Sequence, residues 1–355
     1  MTETSRPRTI PVLTGLRGFG ALWVVLYHLQ AFDDGALGRL GYLGVDLFFL
    51  LSGVVLTYVH AKDFAAVTPG GYGRFLALRL ARIYPLHLAI LLLMGAAFLL
   101  APSWFQEQAD RAHVLSAGAF VANIFLIQNW VPRFSGTWNL PAWSISVEWA
   151  AYLVFPFLMR PVQAVRSPPL AMALGLAGIG VFAAGCMLTH HPDPNLILKA
   201  GFVRMAAEFL AGCLLCRAAA LGLRVSAAAG WVVIAAIALS VWPLHQSPFL
   251  AIPGFMILLV LAMQGDRAMA VLFGNRVSLF LGDISYSIYM VHWPLIVLAM
   301  HFAPSAWKWG VAASLIPVAT LSFRYVELPS RRWGRHLVGA WGRPAGLITA
   351  QSGPM

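Results

Sequence analysis

The sequence predicts an all-α, polytopic integral membrane bundle of about ten transmembrane helices plus one re-entrant segment. Three observations carry that expectation. The chain is 60% hydrophobic and only 10% charged, where a soluble domain carries nearer ~25% charged residues. Its mean hydropathy is +0.76. Its 355 residues are enough for about ten spans of ~20 residues joined by short connections. The net charge of +11 does not imply nucleic acid, because the basic residues sit between apolar segments rather than on one compact face. A positive-inside distribution explains them, with the lipid bilayer as the partner.

Eleven apolar runs occur, at 12–31, 41–60, 83–101, 115–131, 142–159, 170–189, 198–216, 227–244, 249–264, 284–302 and 309–326. Arg6 and Arg8 precede the first run, which contains Arg17 and has no clear small-residue cleavage site after it. It therefore reads as a retained first span with a cytosolic N-terminus rather than a signal peptide. Lys62, Arg74, Arg79 and Arg82 follow the second run and suit the cytosol; Asp33 and Asp34, before it, suit the other side. If 115–131 were a full span, Arg160 with Arg166, Arg217 with Arg224, Arg267 with Arg276 and Arg331 with Arg332 would all fall outside. As a re-entrant or interfacial segment it moves every pair inside. It also contains Asn123, Gln128 and Asn129, which are tolerated at membrane depth where protein or a water-filled cavity surrounds them. Ten spans follow, with both termini cytosolic, in a multi-pass protein of the cytoplasmic (inner) membrane. Residues 1–335 form one membrane domain, and 336–355, weakly patterned and holding Gly, Pro and Ser, read as a mobile tail. Cys186, Cys213 and Cys216 make no disulfide framework. The C-x-x-C at 213–216 lies in an apolar helix and reads as small packing residues rather than redox or metal ligands. No metal is expected.

Charge inside these runs marks the candidate site. Arg17 and His28 lie 11 residues apart in the first span, about three turns plus 20°, so they share one stripe and stand about 16 Å apart along the axis. Intramembrane ionisable groups usually have a task. Asp46 is the only charge in the second span. In a hairpin of the first two spans it shares a depth with His28, where a carboxylate would fix the imidazole tautomer; helix capping or a headgroup position is the competing reading. Glu148 enters the fifth run by about two turns, either as a functional acid or as a buried structural acid paired with an arginine. Arg79 and Arg82, three residues apart at the start of the third span, share a face and suit phosphate or simple snorkelling to headgroups. His292 stands mid-span just before Pro294; on its own it reads as a satisfied core histidine. Trp138, Trp143 and Trp149 suit sugar stacking or the interfacial belt.

These residues fall into ordered blocks. They are Leu13-Thr14-Gly15-Leu16-Arg17-Gly18 through His28; Gly44-Val45-Asp46-Leu47-Phe48-Phe49 with Ser52-Gly53; Arg79 with Arg82-Ile83-Tyr84-Pro85; Ser146-Val147-Glu148-Trp149; Ser285-Tyr286-Ser287-Ile288-Tyr289 with His292; and Glu327-Leu328-Pro329 with Arg331-Arg332. In that order, from about residue 10 to 333, the chain resembles the acyltransferase type 3 family of polytopic membrane acyltransferases. Thr14 departs from it, since an acidic residue is common there. Some members also carry a fused extracytoplasmic esterase-like domain, which this sequence is too short to contain.

The resemblance implies transfer of an acyl group, often acetyl or succinyl, from a coenzyme A thioester to a hydroxyl, usually on a sugar. No permanently bound cofactor is implied; acyl-coenzyme A is the donor substrate, and a carbohydrate or lipid-linked glycan is the acceptor. On this reading Arg17, Arg79 and Arg82 bind the donor. His28, Asp46 and Glu148 form the catalytic group, while Tyr289, His292 and Trp143 line the acceptor pocket. His28 acts as general base or is itself acylated, the first needing no extra intermediate. Ser52 as nucleophile is outweighed by a packing role beside Gly53. A transporter or flippase of a sugar or lipid-linked substrate would also account for many spans and intramembrane charge, though not for the ordered motif set.

Overall fold

A computed structural model describes residues 9–29, 36–105, 114–190, 201–241 and 247–340. Arg6, Arg8, Asp33, Asp34 and residues 341–355 lie outside the described residues, and with them most of the expected tail; positions 336–340 close a helix.

Among the described residues the protein is helical throughout, with no strand. The helices used below are α1 (Pro11–Leu29), α2 (Leu43–His60), α3 (Pro69–Leu100), α4 (Ala117–Ile124), α5 (Trp143–Ala164), α6 (Pro168–Leu188), α7 (Gly201–Ala220), α8 (Ala227–Val241), α9 (Ala251–Gln264), α10 (Arg267–Phe273), α11 (Arg276–Asp283), α12 (Ser285–Phe302), α13 (Trp307–Ser322) and α14 (Leu328–Ala340). A π-helical turn, Phe323–Glu327, joins α13 to α14. Starts follow local chemistry. Thr68, Ser116, Ser167, Asp266 and Asn275 each accept a backbone N–H at a helix N-terminus. Gly265, at φ 77°, ends α9 in the left-handed conformation that glycine adopts freely.

The expectation of ten spans is corrected. Among the described residues, six helical stretches are long and apolar enough to cross a membrane, or up to eight if each of two bent pairs counts as one span. The bent pairs are α9–α10, broken by 99°, and α11–α12, broken by 64°. Two expected spans fall short for physical reasons. Helix α7 carries Arg204, Glu208 and Arg217, which lower its apolar character. Helix α8 has 15 described residues, about 22 Å against a hydrocarbon core of ~30 Å. In the 115–131 run only α4 is helical, at 8 residues, or about 12 Å. Its polar residues are wrapped in protein. Asn123 donates to the Ala119 carbonyl and to Thr137, Gln128 to the Ala142 carbonyl, and Ser135 to Asn129.

The outer faces are apolar: Leu100 is 87% exposed, Leu188 82% and Val181 74%. Such side chains suit lipid and not water, and with the candidate spans they mark a multi-pass membrane protein. Inside, helices meet at glycines. A Cβ on Gly53 of α2 would stand 2.1 Å from the Phe209 carbonyl oxygen, and one on Gly212 of α7 would stand 2.2 Å from that of Leu50. Backbone therefore lies against backbone there, the close approach small residues permit in membranes. Helix α1 meets the α10–α11 region in the same way: a Cβ on Gly15 would stand 1.9 Å from the Phe273 oxygen, and one on Gly282 2.0 Å from that of Thr14.

Candidate active site

Helices α1, α2, α3, α5 and α12 surround a cavity of about 800 Å³, counting its open mouth. Along α2 its lining runs from Val45 to Leu56, 11 residues and so about 16 Å of helix. Three arginines line it: Arg17 from α1, and Arg79 with Arg82 from α3. The spacing of Arg79 and Arg82 puts both on one face, and the Arg79 guanidinium lies 5.7 Å from the Phe75 ring centroid. Arg17 Nη2 is 3.5 Å from Thr14 Oγ1. Its charged neighbours are Arg82 and Arg331, which repel it, and Glu327 and Asp283, which attract it. Asp283 thus supplies negative charge near Arg17 where Thr14 departs from the resemblance.

Acids temper this positive lining. Glu148 of α5 accepts from Ser52 at 2.8 Å and from Tyr152 at 2.6 Å, and all three line the cavity. Tyr152 lies one turn beyond Glu148, where i,i+4 side chains meet. Glu327, on the π turn, accepts from Ser287 at 2.8 Å and pairs with Arg331. Such turns interrupt helices often at functional sites.

Tyr289 forms part of the cavity wall. Its hydroxyl donates to the Pro141 carbonyl at 3.0 Å and lies 2.8 Å from Ser144 Oγ. The Tyr289 and His292 ring centroids are 5.9 Å apart, and those of His292 and His28 are 5.0 Å apart. His28, half-buried, is not among the cavity-lining side chains; it sits behind Tyr289 and His292. Its Nδ1 lies 3.0 Å from the Val24 carbonyl oxygen and 3.3 Å from His292 Nε2.

The structure does not bring Asp46 to His28. The Asp46 carboxylate is held by Arg204, whose Nε donates to one oxygen at 3.0 Å and whose Nη2 donates to the other and to the Tyr42 carbonyl. Glu208 Oε1 lies 3.9 Å from Arg204 Nε. All three side chains are fully buried. A guanidinium fork matches a carboxylate better than one imidazole N–H does, so the tautomer-fixing role expected of Asp46 falls to Val24 and His292. Trp143 is buried too. It packs on Phe49 and lies 5.7 Å from the Arg204 guanidinium, so of the three expected acceptor-pocket residues only Tyr289 lines the cavity.

The sequence reading passed over Arg204, Glu208, Ser144 and Tyr152. The first two carried a signal, opposite charges four residues apart in an apolar run, of the same kind that marked Arg17. Among the described residues, no group of three or more His, Cys, Asp or Glu could hold a metal ion, and the three cysteines are buried free thiols.

Comparison with known proteins places the chain among named acyltransferases. The chain is 25% identical over 98% of its length to the peptidoglycan O-acetyltransferase OatA of Listeria monocytogenes, covering 62% of that protein. It is 24% identical over 92% of its length to the O-acetyltransferase OatA of Staphylococcus aureus, covering 58% of it. It is 36% identical over 45% of its length to the acyltransferase MdmB of Streptomyces mycarofaciens, covering 42% of it. The chain thus spans less than two thirds of each of these relatives. No solved structure matches. The acyltransferase-domain model of the type 3 family matches residues 10–324, nearly the whole chain, and the protein belongs to that family.

Proposed function

We propose that the protein is a membrane O-acyltransferase that moves an acetyl or similar acyl group from acyl-coenzyme A to a hydroxyl of a carbohydrate, with peptidoglycan the first acceptor to test. One observation carries the reading: a cavity lined along about 16 Å of α2 by the helix rise has three arginines and Tyr289 in its wall, and Tyr289 stands beside the His292–His28 pair. Guanidinium forks suit the phosphates of the donor. An extended pantetheine arm would carry the thioester along the cavity toward the histidines. The names of the Listeria and Staphylococcus relatives support acetyl as the group moved.

The chemistry balances without a further reagent. His28 Nε2 takes the proton of the acceptor hydroxyl as its oxygen attacks the thioester carbonyl carbon. The new C–O bond forms, the C–S bond breaks, and the thiolate recovers the proton from His28. Glu148, anchored by Ser52 and Tyr152, supplies fixed negative charge that orients the arginines. Asp46 acts through Arg204, holding α2 and α7 together, and does not touch the reacting atoms. On this reading the arginine end faces the cytosol, where coenzyme A is found, both termini are cytosolic, and the protein lies in the cytoplasmic membrane.

The test is label transfer. Proteoliposomes holding the full chain, given acetyl-labelled coenzyme A and peptidoglycan fragments, are expected to move label to the glycan. The His28→Ala variant inserts and accumulates but transfers none. Glycan flux without label transfer would show a transporter instead, and near wild-type turnover by His28→Ala would remove the base assignment.

A further inference from the structure

Resting on the assignment of His28 as base, we propose that His292 is its positioning residue, so that the reacting group is a histidine pair. The hydrogen-bond geometry carries the argument. The Val24 carbonyl, 3.0 Å from His28 Nδ1, can only accept, so His28 Nδ1 must carry a hydrogen. The same hydrogen faces His292 Nε2 at 3.3 Å, which must then present its lone pair. With Nδ1 protonated, the lone pair of His28 lies on Nε2, the atom free to take a proton. The reverse arrangement, with His292 donating to His28 Nδ1, would set a lone pair against the Val24 carbonyl.

Burial separates the two roles. Neither ring lines the cavity, but His292 is fully buried whereas His28 is half-buried. His292 therefore has no route to an acceptor except through its neighbour. Its own place is over-determined. Pro294 has no N–H to give the Met290 carbonyl, and Asn139 donates to that carbonyl instead at 3.1 Å. The Tyr289 hydroxyl is fixed one turn back by Pro141 and Ser144. The loop before α5 thus locks the turn of α12 that carries His292.

The pair also has an energetic consequence. When His28 becomes an imidazolium, its Nδ1–H bond to His292 becomes charge-assisted and shortens. That gain arises only as the proton moves, so it favours the transition state over the ground state.

The experiment uses purified full-length protein in proteoliposomes, with acetyl-coenzyme A and soluble peptidoglycan fragments as probes. His292→Ala is expected to lower kcat about 10- to 100-fold, the worth of one hydrogen bond to a charged group, with both KM values unchanged. His292→Gln, whose Oε1 reaches the position of Nε2, recovers most of the rate; His292→Asn, too short to reach it, does not. That comparison decides the matter if His292→Ala fails to accumulate. A raised acceptor KM at unchanged kcat, or a His292→Gln variant no faster than His292→Asn, would overturn the pairing while leaving His28 as base. Near wild-type turnover by His28→Ala would overturn the base reading and the pairing with it.

Discussion

Asp46→Asn separates a structural carboxylate from a catalytic one. In the wild type, one buried guanidinium is shared by two buried carboxylates, Asp46 in direct contact and Glu208 at 3.9 Å. Asparagine keeps an oxygen that can accept from Arg204 and removes one negative charge. Arg204 then still has Glu208, whose Oε1 lies 3.9 Å from its Nε. The expected cost of Asp46→Asn is therefore about 1–3 kcal/mol, the scale of one weakened charged hydrogen bond. Arg204→Met leaves two unpaired buried carboxylates and is expected to cost about 3–5 kcal/mol. Asp46→Asn combined with Glu208→Gln strands the guanidinium and is expected to match Arg204→Met. The assay is thermal unfolding in detergent alongside label transfer normalised to folded protein. All three variants should unfold earlier, Asp46→Asn least and the other two alike, while Asp46→Asn keeps most of its turnover per folded molecule. An Asp46→Asn protein that melts like wild type yet transfers 100-fold more slowly would refute the reasoning and return Asp46 to His28.

Two further predictions follow from the cavity and the helix crossings. Arg82→Ala should raise the KM for acetyl-coenzyme A about 10- to 100-fold, the scale of one charge-assisted phosphate contact, without changing the KM for the glycan; equal effects on both would argue against phosphate recognition. Gly53→Ala drives a methyl into the Phe209 carbonyl and should destabilise by at least the ~1–3 kcal/mol of overpacking. Gly178→Ala, where nothing lies within 4 Å, should leave the unfolding midpoint at or slightly above wild type, so equal midpoints for the two variants would rule out the backbone contact.

What the sequence revealed of the site was what helical periodicity controls. Arg17 and His28 share a stripe because both belong to one uninterrupted helix, and Arg79 and Arg82 share a face for the same local reason. Relations between distant segments were not legible. Asp46 and Arg204 are 158 positions apart, and no pattern within α2 announces a partner on α7. The pairing of His28 with His292 spans 264 positions and depends on how α12 packs beside α1. The span count failed where charge was buried by protein rather than excluded by lipid. Arg204 is neutralised by Asp46 of α2 inside the bundle, so α7 need not be apolar enough to cross by itself. The bends at Gly265 and Ile284 are likewise set by packing and capping, which hydropathy does not record.

Since Arg17 and His28 ride on a single helix, the gap between the proposed anion clamp and the proposed proton acceptor is a ruler cut into the backbone. Helix α1 has no internal proline to flex it, and its glycine seam sets its backbone directly against α10 and α11. Whatever opening and closing accompanies turnover must then be borne by the other walls, while the measure itself stays constant. A donor whose reactive carbon sits much nearer to its phosphates, or much farther from them, than one such interval would be gripped at the mouth and still miss the ring.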